Sequence, residues 1–143
     1  MYNKEVGKTK DAGYQFGIQR TVSFPFREVW EYMFDGPGLL IWLGRFEGPI
    51  IENKDYETDE GDQFFVRVFK EFSHIRMSWK KKAWLSSTVL QVRVIPKEDK
   101  SIISFHQEKL QGPAHREKVK QYWTERMQFI QRELKSKQHL SSC

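Results

Sequence analysis

Apolar residues recur at helical spacing near the C-terminal end of the chain, and no other feature limits its fold as strongly. Between Pro113 and about Lys135, Val119, Trp123, Met127, Ile130 and Leu134 lie three and four residues apart, which puts them on one face of an α-helix. A helix of about 20 residues spans roughly 30 Å. It is long enough to cross a small domain, and its apolar stripe needs a surface to cover it.

The preceding segments read as that surface. Tyr14, Phe16 and Ile18 alternate with Gln15, Gly17 and Gln19, the period of a half-buried strand. Ser23-Phe24-Pro25 predicts a helix start, with Ser23 or Phe24 near the cap and Pro25 in the first turn. Val29, Trp30, Met33 and Phe34 form the stripe of that short helix, Asp35-Gly36-Pro37-Gly38 breaks it, and a second short helix is expected over Leu39 to Leu43. Ile50 and Ile51 follow, then an acidic loop. Further strands are expected over Asp62 to Phe69, Ile75 to Trp79, Trp84 to Ile95 and Ser101 to Leu110, with Pro96 to Lys100 as a charged turn. Strands in a run closed by one helix argue for an α+β fold with antiparallel neighbours. A curved antiparallel sheet gripping a long helix commonly encloses an apolar hollow, so binding of a small molecule is the expected kind of function. Residues 1–13 and 136–143 are expected to form a flexible arm and tail around a single domain, 14–135.

Composition narrows the function classes. A chain of 143 residues suits one domain with a core that needs no metal or disulfide. The single cysteine, Cys143, excludes an internal disulfide. No secretory signal opens the sequence, and the longest apolar run, Leu39 to Leu43, is too short to cross a bilayer. A cytoplasmic protein without membrane insertion is expected. The net charge of +5 is divided between an acidic stretch, Glu52 to Asp62, and a basic one, Lys80 to Lys82. Such a mixed surface argues against nucleic acid as the partner.

Phe24-Pro25-Phe26-Arg27-Glu28-Val29-Trp30, then Trp42-Leu43-Gly44, resembles the opening of START-like (SRPBCC, Bet v 1-like) domains. Gly61 ahead of a strand, Trp79, Phe105-His106-Gln107 and Trp123 are similar to the branch named for the C-terminal domain of the activator of Hsp90 ATPase. The resemblance runs from Tyr14 to about Leu134. It implies a helix-grip fold, a curved sheet around the C-terminal helix with two short helices at one end. It also implies a small apolar or amphipathic ligand, with a chaperone partner or a cyclase- or hydrolase-like activity as alternatives. The namesake's N-terminal domain, which contacts Hsp90, is longer than the segment ahead of Tyr14. No cofactor is implied, and a monomer or homodimer is expected.

Candidate ligand contacts follow from the inward faces of this fold. Trp42, Phe64, Trp79, Trp84 and Trp123 supply aromatic walls. Val66, Met77, Thr88, Leu90 and Met127 share those faces. Trp42 is the candidate lid, in a short helix bounded by glycines. On the last strand two registers are open. If Ser104 and His106 point inward, with Glu108 following, they place hydrogen-bonding groups in the hollow and could support acid–base chemistry. If Ile103 and Phe105 point inward, His106 is a surface histidine. No residue is assigned a catalytic role. Other matches are read as coincidences: Ser78-Trp79-Lys80-Lys81 has an S-x-x-K pattern on a strand rather than a helix start. Gly36-Pro37-Gly38 lacks a dinucleotide loop's spacing. His74, His106, His115 and His139 show no metal-ligand spacing. His115 is expected to be solvated, and Lys118 to belong to the wet face of the last helix.

Overall fold

In the computed structural model the described residues are 8–9 and 13–141, with the side chains of 13–137. A seven-stranded antiparallel sheet packs against one long helix and two short ones. The strands are β1 (Lys8–Thr9), β2 (Gly13–Val22), β3 (Asp55–Glu57), β4 (Gln63–Lys70), β5 (His74–Lys80), β6 (Thr88–Lys97) and β7 (Lys100–Leu110). Their order is β1-β2-β7-β6-β5-β4-β3. The helices are α1 (Phe26–Phe34), α2 (Pro37–Trp42) and α3 (Pro113–Ser141). The α+β helix-grip architecture expected from the sequence is the one observed.

Strand register explains the inner face. Val66 pairs with Met77, Met77 with Leu90, and Leu90 with Gln107, so one row of side chains runs across four strands beneath α3. A second row joins Ile75, Val92 and Phe105. On α3, Val119, Trp123, Met127, Ile130 and Leu134 are all buried, as the spacing predicts. Each such side chain contributes about 1.5–3 kcal/mol by leaving water.

Several boundaries differ from expectation. Pro25 caps α1 in extended conformation instead of lying in its first turn. α2 begins at Pro37, whose missing N–H costs nothing at a helix start. Gly38 lies against Tyr32, where an added Cβ would sit 2.7 Å from the Tyr32 carbonyl oxygen and 2.5 Å from its ring. Ile50 and Ile51 lie outside any strand, whereas Asp55–Glu57, inside the acidic stretch, forms β3 because Tyr56 buries its ring on Phe64. Pro96 and Lys97 belong to β6 and Lys100 to β7, so the turn is shorter than Pro96–Lys100. α3 runs past Lys135 to Ser141, and Lys8–Thr9 pairs with Tyr14 and Gly13. Most of the expected N-terminal arm and the side chains of the expected tail lie outside the described residues. No described helix is long and apolar enough to cross a membrane.

Candidate functional site

The space beneath Trp123 and Met127, where the sequence places a hollow, is filled. The Trp123 indole stacks on Phe105, with centroids 4.5 Å apart and planes 17° apart. Its Nε1–H donates to Gln107 Oε1 at 2.7 Å. Gln107 Nε2–H donates to Thr88 Oγ1 at 2.9 Å, and the Thr88 hydroxyl donates to the Trp79 carbonyl at 2.7 Å. All four residues are buried. The chain of bonds satisfies polar groups that would otherwise be costly to bury, and it ties α3 to β7, β6 and β5.

A cleft survives beside this plug, nearer the start of α3. It encloses about 140 Å³. Trp79 and Gln107 contribute from the sheet, Trp84 from the turn after β5, and His115, Val119 and Tyr122 from α3. The helical residues are spaced four and three apart and so share one face. Lys81 and Lys118 complete the lining. Lys81 is held by an ion pair to Asp62 at 3.3 Å, and its ammonium lies 4.7 Å from the Tyr122 centroid. Trp84 meets Trp79 and His115 edge to face, at 5.3 and 4.5 Å.

Two hydrogen-bond donors on this lining have no partner. Trp79 Nε1 and His115 Nε2 are buried and unpaired among the described residues. His115 Nδ1 accepts the backbone N–H of Gln111 at 3.0 Å, so in the neutral ring the proton resides on Nε2. Burial, then the charge of Lys118, lowers the His115 pKa from 6.5, and both causes favour that neutral donor. A buried N–H without an acceptor costs about 1–3 kcal/mol. Two such groups bordering one aromatic cleft are suited to a guest that brings an acceptor oxygen.

The predicted residues separate into four groups. Trp79 and Trp84 line the cleft, and Thr88 and Trp123 brace it from behind. Phe64, Val66, Met77, Leu90 and Met127 are close-packed core. Trp42 is fully buried and its Nε1–H donates to the Met33 carbonyl at 2.8 Å. It is an anchor between α1 and α2 and cannot serve as a lid. Ser104 and His106 are corrected more sharply. Ile103, Phe105 and Gln107 take the inner face of β7, which leaves Ser104, His106 and Glu108 on the outer one. There His106 meets Gln15 and Glu108, at 3.1 and 3.5 Å. Acid–base chemistry inside the fold through His106 is thereby excluded.

Sequence reasoning did not count Gln107 or Tyr122 among the contacts, and it read His115 as solvated and Lys118 as wet face, whereas all four line the cleft. The signal for His115 was present: it stands four residues before Val119 and eight before Trp123, on the face already assigned to the core.

The fold has neighbours among solved structures. DynU16, from the dynemicin biosynthetic locus, matches with a TM-score of 0.74 and 17% identity, over 85% of this chain and 47% of its own. CalU16 from Micromonospora echinospora matches at 0.73 and 13%, over 84% and 73%. PFC0360w, an HSP90 activator from Plasmodium falciparum, matches at 0.64 and 16%, over 78% and 88%. The chain therefore spans about half the length of DynU16. These matches bear out, as a likeness of fold, the START-like architecture and its resemblance to Hsp90 activators. No family model and no curated protein sequence matches the chain.

Proposed function

We propose that the chain binds a small, single-ring aromatic molecule bearing an acceptor oxygen, such as a carboxylate or carbonyl, in the cleft between Trp79, Trp84 and the first turns of α3. The observation that carries this reading is the pair of unpartnered donors, Trp79 Nε1 and His115 Nε2, on side chains lining one aromatic cleft. Trp84 and Tyr122 supply ring contacts, and Lys118 favours a negative guest. Size sets the class. A dry cavity of roughly 150 Å³ accepts benzene, whereas drug-sized ligands need roughly 300 Å³ or more. At about 140 Å³ the cleft admits one ring and excludes an intact fatty acid or sterol. The likeness to an Hsp90 activator is one of fold at 16% identity, so the chaperone reading ranks second.

The test is a titration with benzoate, phenol and a long-chain fatty acid, followed by tryptophan emission and by the indole N–H resonances. Benzoate is expected to shift the Trp79 N–H and raise the melting temperature, and the fatty acid to do neither. Trp79→Phe keeps a ring and removes one donor, which should weaken benzoate about fivefold, the worth of one hydrogen bond. Absence of any shift with benzoate and phenol at millimolar concentration would reject the proposal.

A further inference from the structure

A second concavity, unlike the first in chemistry, lies on the far side of α1. It encloses about 500 Å³ between α1, the β4–β5 turn and the loop around Pro49. Its floor is aromatic. Trp30 stacks on Phe34 at 4.1 Å and on Phe69 at 6.2 Å, and Phe72 lies 5.7 Å from Trp30. Its rim is acidic. Glu31 in the last turn of α1, Asp35 at its C-cap and Glu71 on the turn all line it, against the single guanidinium of Arg27. Among the described residues none of these three carboxylates makes a salt bridge. Three carboxylates and one cation leave a groove of net negative charge in a chain whose total is +5.

Phe72 is held in an unusual way. Its φ is +65°, a left-handed conformation that bulky L-residues avoid. The residue nevertheless remains 38% exposed, so the strained turn does not serve to bury it fully. The strain instead sets an aromatic wall at the groove's edge. One face of that wall already holds a cation: the Arg27 guanidinium carbon lies 4.6 Å from the ring centroid.

We propose that this groove binds a small organic monocation, an alkyl- or arylammonium. Its apolar body lies on Trp30, Phe69 and Phe72, and its charge faces Glu31, Asp35 and Glu71. Ring quadrupoles and carboxylates both attract an ammonium, and an aromatic floor holds the carbon skeleton that water releases. A simple inorganic cation has no carbon skeleton to lay on that floor. The groove volume falls in the range of small-ligand sites. The site is independent of the cleft near Trp79 and differs from it in the sign of charge it selects.

The experiment compares benzyltrimethylammonium, benzyl alcohol and benzoate as probes of the full chain. Binding is located by the indole resonances of Trp30, Trp79 and Trp84. The ammonium is expected to shift Trp30, to bind about tenfold tighter there than the alcohol, and to weaken as salt is added. Phe72→Gly suits the left-handed backbone, so the fold should be retained while affinity falls about tenfold. Glu71→Gln keeps the turn and should weaken the ammonium about threefold without altering the alcohol. Equal binding of ammonium and alcohol, a response at Trp79 or Trp84 in place of Trp30, or full affinity in Phe72→Gly would each overturn the proposal.

Discussion

His115 shows how one residue can be misjudged from the sequence alone. A histidine beside Arg116 in the first turn of a basic helix reads as solvated, yet four-residue spacing to Val119 turns it toward Trp84. Its lowered pKa has a consequence for stability. Near pH 6.5 the unfolded chain takes up a proton that the folded chain, with its lower pKa, refuses. The contribution of neutral His115 is therefore complete above about pH 6.5 and is lost as pH falls through that value toward the folded pKa. His74, lowered by burial and then by Arg93, Lys70 and Arg76, acts in the same direction. Thermal melts should fall progressively from about pH 7.5 to pH 5.5, and His115→Gln should flatten part of that slope. The double variant with His74→Gln should flatten more. A slope unchanged in His115→Gln would show that the ring titrates as it does in water. Other single residues were legible only as a choice. Either register of β7 satisfied the alternation of Ile102 to His106, and the inward turn of Phe105 was settled by its stack on Trp123, a contact between distant segments.

Among the elements, those with strong periodicity were readable and those set by tertiary contact were not. α3, β5 and β7 follow their patterns closely because each has one face wholly in the core. β3 escaped notice because two of its three residues are acidic and exposed, and its pairing depends on Tyr56 meeting Phe64 across the sheet. A register shift between Val66 and Val68 likewise interrupts a pattern that looks regular in sequence. The junction of α1 and α2 depends on Gly38, where a methyl group meets the backbone of Tyr32 as well as its ring. Gly38→Ala should destabilise by about 1–3 kcal/mol through overpacking, measured as a lower denaturation midpoint with an unchanged slope. The buried relay joining α3 to the sheet makes a stronger demand. Gln107→Ala strips the partner from the Trp123 N–H and from Thr88, so a loss of about 2–4 kcal/mol is expected. Thr88→Val should cost less, and the two together should fall short of additivity because they share one bond. Additive losses would mean that the relay acts as separate contacts.

The molecule as a whole decides what sequence reading left widest, the space that lies open beside α3. Aromatic content and a helix-grip fold permit a large hollow or none, since the difference lies in how rings stack once the sheet has curved. Here Trp123 on Phe105 fills the centre, and two spaces meet at Tyr122 on α3. One is the 140 Å³ cleft, and the other, of about 310 Å³, lies between α2, the acidic loop and Arg126. Tyr122 lines both. Its ring is clasped by the Lys81 ammonium at 4.7 Å and the Arg126 guanidinium at 4.5 Å. This partition should decide ligand length. Tyr122→Ala removes a half-buried ring and two half-buried cation–π contacts, so it should cost about 1–2 kcal/mol and leave the fold intact. It should also join the two spaces. The wild-type chain is expected to prefer benzoate to 2-naphthoate because a second ring has no room. In Tyr122→Ala that order should reverse, with 2-naphthoate gaining about tenfold from newly buried ring surface. Titration of both acids against both proteins, read by tryptophan emission, makes the comparison directly. Should 2-naphthoate bind the unaltered chain as well as benzoate, Tyr122 is no partition and the size limit drawn from the cleft is wrong.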